Sequence, residues 1–245
     1  VENISTLRIF NNNYCDNYFD RIISIDGNDA RGIDVGLLIK KGVSAEIEQI
    51  RTHVDEGLNS KYLKKSSRLD SKNTANAIFS RDCLEVDIKT GGEKLTLLVN
   101  HFKAQDGKAT STKKRINQSK RVHELVSDVI AAGRKPIVMG DLNIDTFQKD
   151  YDKSLDELYN SSKLIDPFKT LSDKERWTHY YSAKRKVSRL DYILLDKRLQ
   201  VTATEIFREG LTSKCKQYKG PRLESMKGND LEASDHCPAT VVLEI

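Results

Sequence analysis

The stretch Pro136 to Asp145, PIVMGDLNID, decides the fold. Its apolar run Ile137-Val138-Met139 stops at Gly140, which reads as a buried strand closed by a turn residue. Asp141, Asn143 and Asp145 follow within five residues. A carboxylate and a carboxamide at the mouth of a buried strand cost desolvation unless something pairs with them. The strand therefore ends where a cation or a substrate has to sit.

The same arrangement recurs on either side. KLTLLVNHF (94–102) is a strand that ends in NHFK (100–103). Residues 112–132 carry helical periodicity in Ile116, Val122, Leu125, Val126, Val129 and Ile130, with Gly133 as the C-terminal cap. RLDYILLD (189–196) is a strand that carries Asp191, and SDH (234–236) precedes the strand PATVVLEI (238–245). GIDVGLLIK (32–40) and the end of 72–89 read as further strands, and GGE (91–93) turns 83–102 into a hairpin. ISTLRIF (4–10) begins a helix and YDKSLDELYNS (151–161) reads as a short one. Mixed strands and helices with antiparallel hairpins predict two sheets packed face to face, with helices outside.

The 245 residues suffice for one large domain or two small ones. A hydrophobic share of 38% is ample for a core, and no run approaches the roughly 20 apolar residues of a membrane span. The net charge of +5 is clustered at 64–68, 113–121, 184–186 and 214–222, which favours a polyanionic partner. Cys15, Cys83, Cys215 and Cys237 show neither CxxC nor zinc spacing, and their number suits a reduced or a disulfide-bonded protein, so the compartment stays open. The chain opens VENISTLRIF without an initiator Met, so the lack of a leader says little.

Asp141, Asn143 and Asp235 offer hard oxygen donors that suit Mg²⁺ or Mn²⁺, with Ca²⁺ as a further candidate. His236 follows Asp235, and Asp191 can hold one of its ring nitrogens while the other faces substrate. That is a base with its orienting group, with water as the nucleophile. Asn143 can alternatively position phosphate oxygens, and His101 and Lys103 can neutralise developing negative charge. Together these read as metal-assisted hydrolysis of a phosphoester.

The ordered set GIDVGLLIK, LLVNHFKAQ, IVMGDLNID, SRLDYILL and SDHCPATVVLEI resembles the endonuclease/exonuclease/phosphatase superfamily, the deoxyribonuclease I-like fold, and within it the bacterial nuclease-like branch. The matches run from about Gly32 to the C-terminus. The resemblance implies an α/β/β/α sandwich of two packed mixed sheets in four layers, with the site at one edge. It implies His236 as general base, Asp191 as its partner, Asp141 as leaving-group stabiliser or metal ligand, Asn143 as phosphate holder and Asp235 as metal ligand. His101 would contact the scissile phosphate, with Asp34 as its acidic partner; a solvent-facing or turn-capping Asp34 is the alternative. Asn100 would contact phosphate or satisfy backbone groups. Lys103, Arg31, Arg115 and Gln118 would be substrate contacts, against an ordinary surface role for each.

The family's metal glutamate stands in a Gln-Glu-Val-Glu-Asn-like context, whereas this chain begins Val1-Glu2-Asn3. That glutamate is therefore expected just before Val1, together with the family's first strand, with Glu2 as a substitute if the register differs by two. The expectation is one catalytic domain over 1–245, N-terminally incomplete, monomeric, with no membrane span. Its expected activity is metal-dependent endonucleolytic cleavage of DNA. The alternatives are a phosphatase or phosphodiesterase on a small or lipid phosphoester, and an inactive nucleic-acid-binding module.

Overall fold

The computed structural model describes residues 1–57, 77–226 and 232–245. The basic run at 64–68 and the first part of 72–89 lie outside the described residues. Helix α1 (Ile4–Tyr14) leads into strands β1 (Phe19–Ser24), β2 (Gly36–Lys40) and β3 (Glu46–Arg51). Strands β4 (Cys83–Thr90) and β5 (Glu93–His101) form the hairpin, followed by α2 (Ala109–Ala131) and β6 (Lys135–Asp141). The one-turn helix α3 (Asp156–Tyr159) precedes β7 (Leu164–Ile165), β8 (His179–Tyr181) and β9 (Lys186–Ser188). Strands β10 (Asp191–Asp196), β11 (Gln200–Ile206) and β12 (Ala239–Glu244) complete the chain.

Six strands form one sheet in the order β3-β4-β5-β6-β10-β7, with β5 and β6 parallel and the other pairs antiparallel. Parallel strands need a crossover, and α2 supplies it. Strand residues alternate between faces. Leu98, Val138 and Leu194 point to a core shared with Val122, Leu125 and Val126 of α2. Leu97, Val99, Ile137 and Leu195 point the other way, to a core shared with Ile23 of β1 and with Val241 and Leu243 of β12. Buried on both faces, β5 and β6 read as near-continuous apolar runs.

The second β layer consists of two antiparallel ribbons, β1–β2 and β11–β12, with no ladder between them among the described residues. Helix α1 covers the β1–β2 ribbon. Its buried Asn11 accepts from the Phe19 amide at 3.0 Å and donates to the Phe19 carbonyl at 2.8 Å. The expected four layers are therefore present, with the second sheet in two pieces. Among the described residues no helix is long and apolar enough to cross a membrane.

Three boundaries differ from the sequence expectation. The strand expected over 32–40 begins at Gly36, because Gly32 has φ +69° and the Asp34 carboxylate turns back onto the Gly27 amide at 2.7 Å. The helix expected over 151–161 shrinks to one turn. Asp152 instead accepts from the Ser154 amide at 3.0 Å, with Lys153 left-handed at φ +56°, a side-chain-capped turn that competes with helix. Helix α2 starts earlier than expected, at Ala109, and Gly133 follows its end at φ +75°.

Gly140 sets the close β5–β6 approach at the tip of the decisive strand. It pairs with Asn100 and has φ +124°, and a Cβ there would fall on the Asn100 carbonyl oxygen. Gly140→Ala is expected to cost more than about 1 kcal/mol, since neither the backbone angle nor the space accepts a side chain. A urea midpoint lowered at unchanged slope would show it, and an unchanged midpoint would contradict it.

Candidate active site

The β5–β6–β10 ladder builds the site as a row. Its register sets His101 beside Asp141, and Asp141 beside Asp191. Neighbouring strands lie about 4.8 Å apart, so three polar side chains stand side by side at one sheet edge. The C-terminal segment adds the fourth. Cys237 donates to the Thr178 carbonyl at 2.6 Å and Tyr180 to the Asp235 carbonyl at 2.9 Å, which stitches 235–237 onto β8. His236 then lies with Nδ1 2.9 Å from one Asp191 carboxylate oxygen and 3.1 Å from the other.

This pair is strongly polarised. Burial pushes the His236 imidazole down, but the bond to Asp191 and that carboxylate's charge outweigh it and carry its pKa up to about 9. Asp191 is itself fixed by the Thr178 hydroxyl at 2.7 Å, which also accepts from the Leu190 and Asp191 amides at 3.1 Å. With Nδ1 committed, Nε2 of His236 is the nitrogen left to face substrate. In the metal-free protein the His236 ring is expected to titrate near 9 by NMR. Asp191→Asn should move the midpoint down toward about 6.5, the ordinary histidine value, so that the neutral ring prevails at lower pH. A midpoint that does not move would contradict the pairing.

Asp141 lies against Asn143, whose backbone amide donates to one carboxylate oxygen at 2.9 Å and whose side-chain amide donates to the other at 3.0 Å. Asn143 achieves this in the left-handed region, φ +55°, which asparagine tolerates. Its side chain also donates to the Phe102 carbonyl at 3.1 Å. Burial, then the charge of Asp191, pushes the Asp141 carboxyl up to about 7. His101 Nε2 approaches Asp141 at 3.4 Å. Burial, then the positive charges of Arg81 and the Val1 ammonium, push His101 down to about 4, so at neutral pH it offers a hydrogen bond rather than the charge expected of it.

The other expected residues divide. Asp235 is exposed and lies with His179, whose Nε2 is 3.7 Å from its carboxylate, so the expected metal set falls into an Asp141–Asn143 part and an Asp235 part. Asp34 is buried against Gly27 and accepts no bond from His101; the carboxylate beside His101 is Asp141. Asn100 is 2% exposed and donates to the Leu98 carbonyl at 2.9 Å, which places it within the sheet rather than in the cleft. Arg115 and Gln118, expected at the surface or on substrate, are buried. Arg115 donates to the Lys103 and Ala104 carbonyls at 3.2 and 2.9 Å, and Gln118 accepts from the Lys103 amide at 2.9 Å, so α2 pins the loop that follows His101. Arg31 pairs with Asp29 at 3.1 Å. Glu2 is exposed.

Three contributors escaped the sequence reading. Arg81 is fully buried, pairs with Asp29 at 2.9 Å and donates to the Phe102 carbonyl at 2.9 Å, directly behind His101. Thr178 holds Asp191, and His179 stacks beside His236 with ring centroids 4.7 Å apart. The signal for the last two was the alternation in WTHYY, where Thr178 and Tyr180 are buried and His179 is turned outward. An apolar cavity of about 620 Å³ is walled by Val99, Met139, Ile193 and Leu211, and Asp191 and His236 line it too.

One further group of basic residues completes the surroundings. Lys103, Lys113 and Lys114 line a cavity of about 410 Å³ at the start of α2, with Ala77, Ile78 and Asn117. Among the described residues none of the three ammonium groups has a carboxylate within ion-pair distance. Burial, then the charges of Lys103 and Arg81, push Lys114 down. Lys103, two residues after His101 at the end of β5, carries this cavity toward the row.

Residues 1–244 match the sequence family described as Endonuclease/Exonuclease/phosphatase family. No curated protein sequence matches the chain. Among solved structures, D. rerio TDP2 complexed with single-strand DNA product is similar at a TM-score of 0.64 and 12% identity, over 98% of this chain and 82% of that one. The endonuclease/exonuclease/phosphatase from Bacteroides vulgatus gives 0.63 and 14%, over 99% and 81%. The mannosyl-6-phosphatase of Bacteroides thetaiotaomicron gives 0.59 and 15%, over 92% and 77%. At such identities the likeness is one of fold.

Proposed function

The chain belongs to the endonuclease/exonuclease/phosphatase family, and on that premise we propose that it is a divalent-metal-dependent phosphodiesterase that cleaves DNA internally by attack of water on phosphorus. The observation that carries the reading is the convergence of His101, Asp141, Asp191 and His236 from four separate segments onto one sheet edge. Deprotonated His236, the minor form of the metal-free protein below about pH 9, takes the proton of the attacking water at Nε2. Asp191 holds the opposite N–H, fixes the tautomer and stabilises the imidazolium that results. His101, neutral and half-buried, donates to a non-bridging phosphate oxygen. Asn143 keeps Asp141 aimed at the same point.

The donor set fits a hard dication. Asp141 and Asp191 face each other across the ladder, and burial, then the charge of Asp191, raises Asp141; a cation bound to the Asp141 oxygens offsets both. Asp141 and Asn143 would hold Mg²⁺ or Mn²⁺, and Asp235, which stands with His179, would join them by turning its exposed side chain toward the ion. When bound, the ion supplies Lewis-acid stabilisation of charge on the phosphoryl oxygens.

The lysine-lined cavity beside the row supports a polymeric substrate. A phosphate flanking the scissile one would meet Lys103, Lys113 and Lys114, whereas a lone sugar phosphate would leave them unused. Supercoiled plasmid incubated with Mg²⁺ is expected to be nicked, with EDTA to abolish nicking, excess Mn²⁺ to restore it, and rising salt to slow it. The mannosyl-6-phosphatase shares the fold, so a sugar 6-phosphate is the control substrate. Phosphate release from the sugar without nicking would replace this reading with a phosphomonoesterase. Retention of DNA with no cleavage under any of these conditions would leave a binding module.

A further inference from the structure

His179 takes no part in the chemistry just described, yet its placement is tightly controlled. It opens β8 and forms a β-bridge with His236. The two rings stand with centroids 4.7 Å apart, tilted by 49°. His179 Nε2 lies 3.7 Å from the Asp235 carboxylate. One donor atom from each of His179, Asp235 and His236 falls within 4.8 Å of the others. In a tetrahedral zinc site, bonds of about 2.0–2.1 Å put ligand atoms about 3.3 Å apart, so rotamer-scale adjustment closes the set.

The supporting contacts suit a metal as well. Both histidines have Nδ1 occupied, that of His236 by Asp191 at 2.9 Å and that of His179 by the Ser188 hydroxyl at 3.0 Å. Each therefore presents Nε2, and each has the hydrogen-bonded outer partner that fixes ligating imidazoles. The backbone bonds from Tyr180 and Cys237 hold the two segments in register, so the ligands are arranged before any ion arrives. Asp235 is exposed, which gives an ion access and leaves a coordination position for water or an anion. Two imidazoles and one carboxylate are borderline donors. They suit Zn²⁺ and its neighbours Co²⁺ and Ni²⁺, while Mg²⁺ prefers the all-oxygen set around Asp141.

We propose that His179, Asp235 and His236 form a second metal site, selective for Zn²⁺-class ions, that switches the enzyme off by taking Nε2 of His236. The inhibitory consequence rests on His236 being the base; the binding site does not. Zn²⁺ at this site competes with the proton transfer rather than with substrate phosphate. It also draws Asp235 away from the Mg²⁺ position.

The test measures binding and activity separately. Metal-free protein is titrated with Co²⁺, followed by its visible absorption, and with Zn²⁺ against a chromophoric chelator. Wild type is expected to bind one equivalent with a tetrahedral Co²⁺ spectrum. His179→Ala should bind at least about 10-fold more weakly, and Asp235→Asn, which keeps the side-chain volume, should weaken binding as well. In Mg²⁺-dependent cleavage, the Zn²⁺ concentration for half-inhibition, taken against each protein's own Zn²⁺-free rate, should rise in His179→Ala by the same factor. Absence of stoichiometric Zn²⁺ binding, or equal affinity in wild type and both variants, would overturn the site. Zn²⁺ binding that depends on His179, in a protein without Mg²⁺-dependent hydrolysis, would uphold the site and sink the proposed function. Mg²⁺-dependent hydrolysis without Zn²⁺ binding would do the reverse.

Discussion

His236→Ala is expected to lower kcat/KM on DNA by roughly 10³- to 10⁴-fold, within the range contributed by a positioned general base. Its melting temperature should stay within about 4 °C of wild type, the shift that about 1 kcal/mol produces in a chain of this length. The two halves of this expectation have separate causes. The His236 side chain is one-third exposed, and among the described residues its side chain hydrogen-bonds to Asp191 alone, so little packing is lost with it. Asp191 stays fixed by Thr178, and the His101–Asp141 part of the row is untouched. What disappears is the nitrogen that accepts the proton of water. Parallel thermal melts and cleavage rates check both halves. A variant that keeps more than about a tenth of wild-type activity would remove His236 from the role of base.

The largest effect on stability is expected at Arg189. Arg189 and Asp166 are each 1% exposed at the side chain and meet through two parallel bonds, at 2.6 and 2.7 Å. The guanidinium also lies over the rings of Tyr192 and Phe168, at 4.5 and 5.1 Å from their centroids. Arg189→Ala leaves Asp166 buried without its counter-charge, and breaking such a pair costs about 3–5 kcal/mol. At about 2–4 °C per kcal/mol, the melting temperature should fall by roughly 6–20 °C. The Arg189 amide donates to Asp145 at 3.1 Å, and Asp191 follows two residues later, so the loss also loosens the alignment of Asp191 with Asp141. Replacing both partners with apolar residues, Arg189→Met with Asp166→Leu, should recover most of the stability, because the buried pair is costly to split rather than strongly favourable in itself. A single Arg189→Ala variant as stable as wild type would contradict the account of this core.

The residues most legible in the sequence were those where pattern and chemistry coincide. Strands β5, β6 and β10 are buried on both faces, so their apolar runs stand out, and the polar residues that interrupt their ends are conspicuous for the same reason. The outlying strands were harder to read. Strand β3, EIEQIR, is an edge strand with mostly exposed residues, and β11, QVTATEI, is exposed at most of its positions, so neither carries a strong apolar signal. Arg115 and Gln118 fall on the buried stripe of α2 with Val122 and Leu125. Their polarity hid that, because a buried polar residue is recognisable only by its partners, here the carbonyls and amide of the loop after His101. Arg81 was missed for the same reason. Asp34 shows the converse: a carboxylate in a suggestive place whose bond turned out to be a local one to Gly27.

The pH dependence of kcat/KM for Mg²⁺-dependent DNA cleavage, in wild type and His236→Ala side by side, tests the central claim most directly. Wild type is expected to show a limb rising with pH through a single deprotonation, and this limb is expected to be missing from the small residual rate of the variant. A rising limb with the same midpoint in both proteins would show that some other group takes the proton from water, and the chemistry assigned to the row would be wrong.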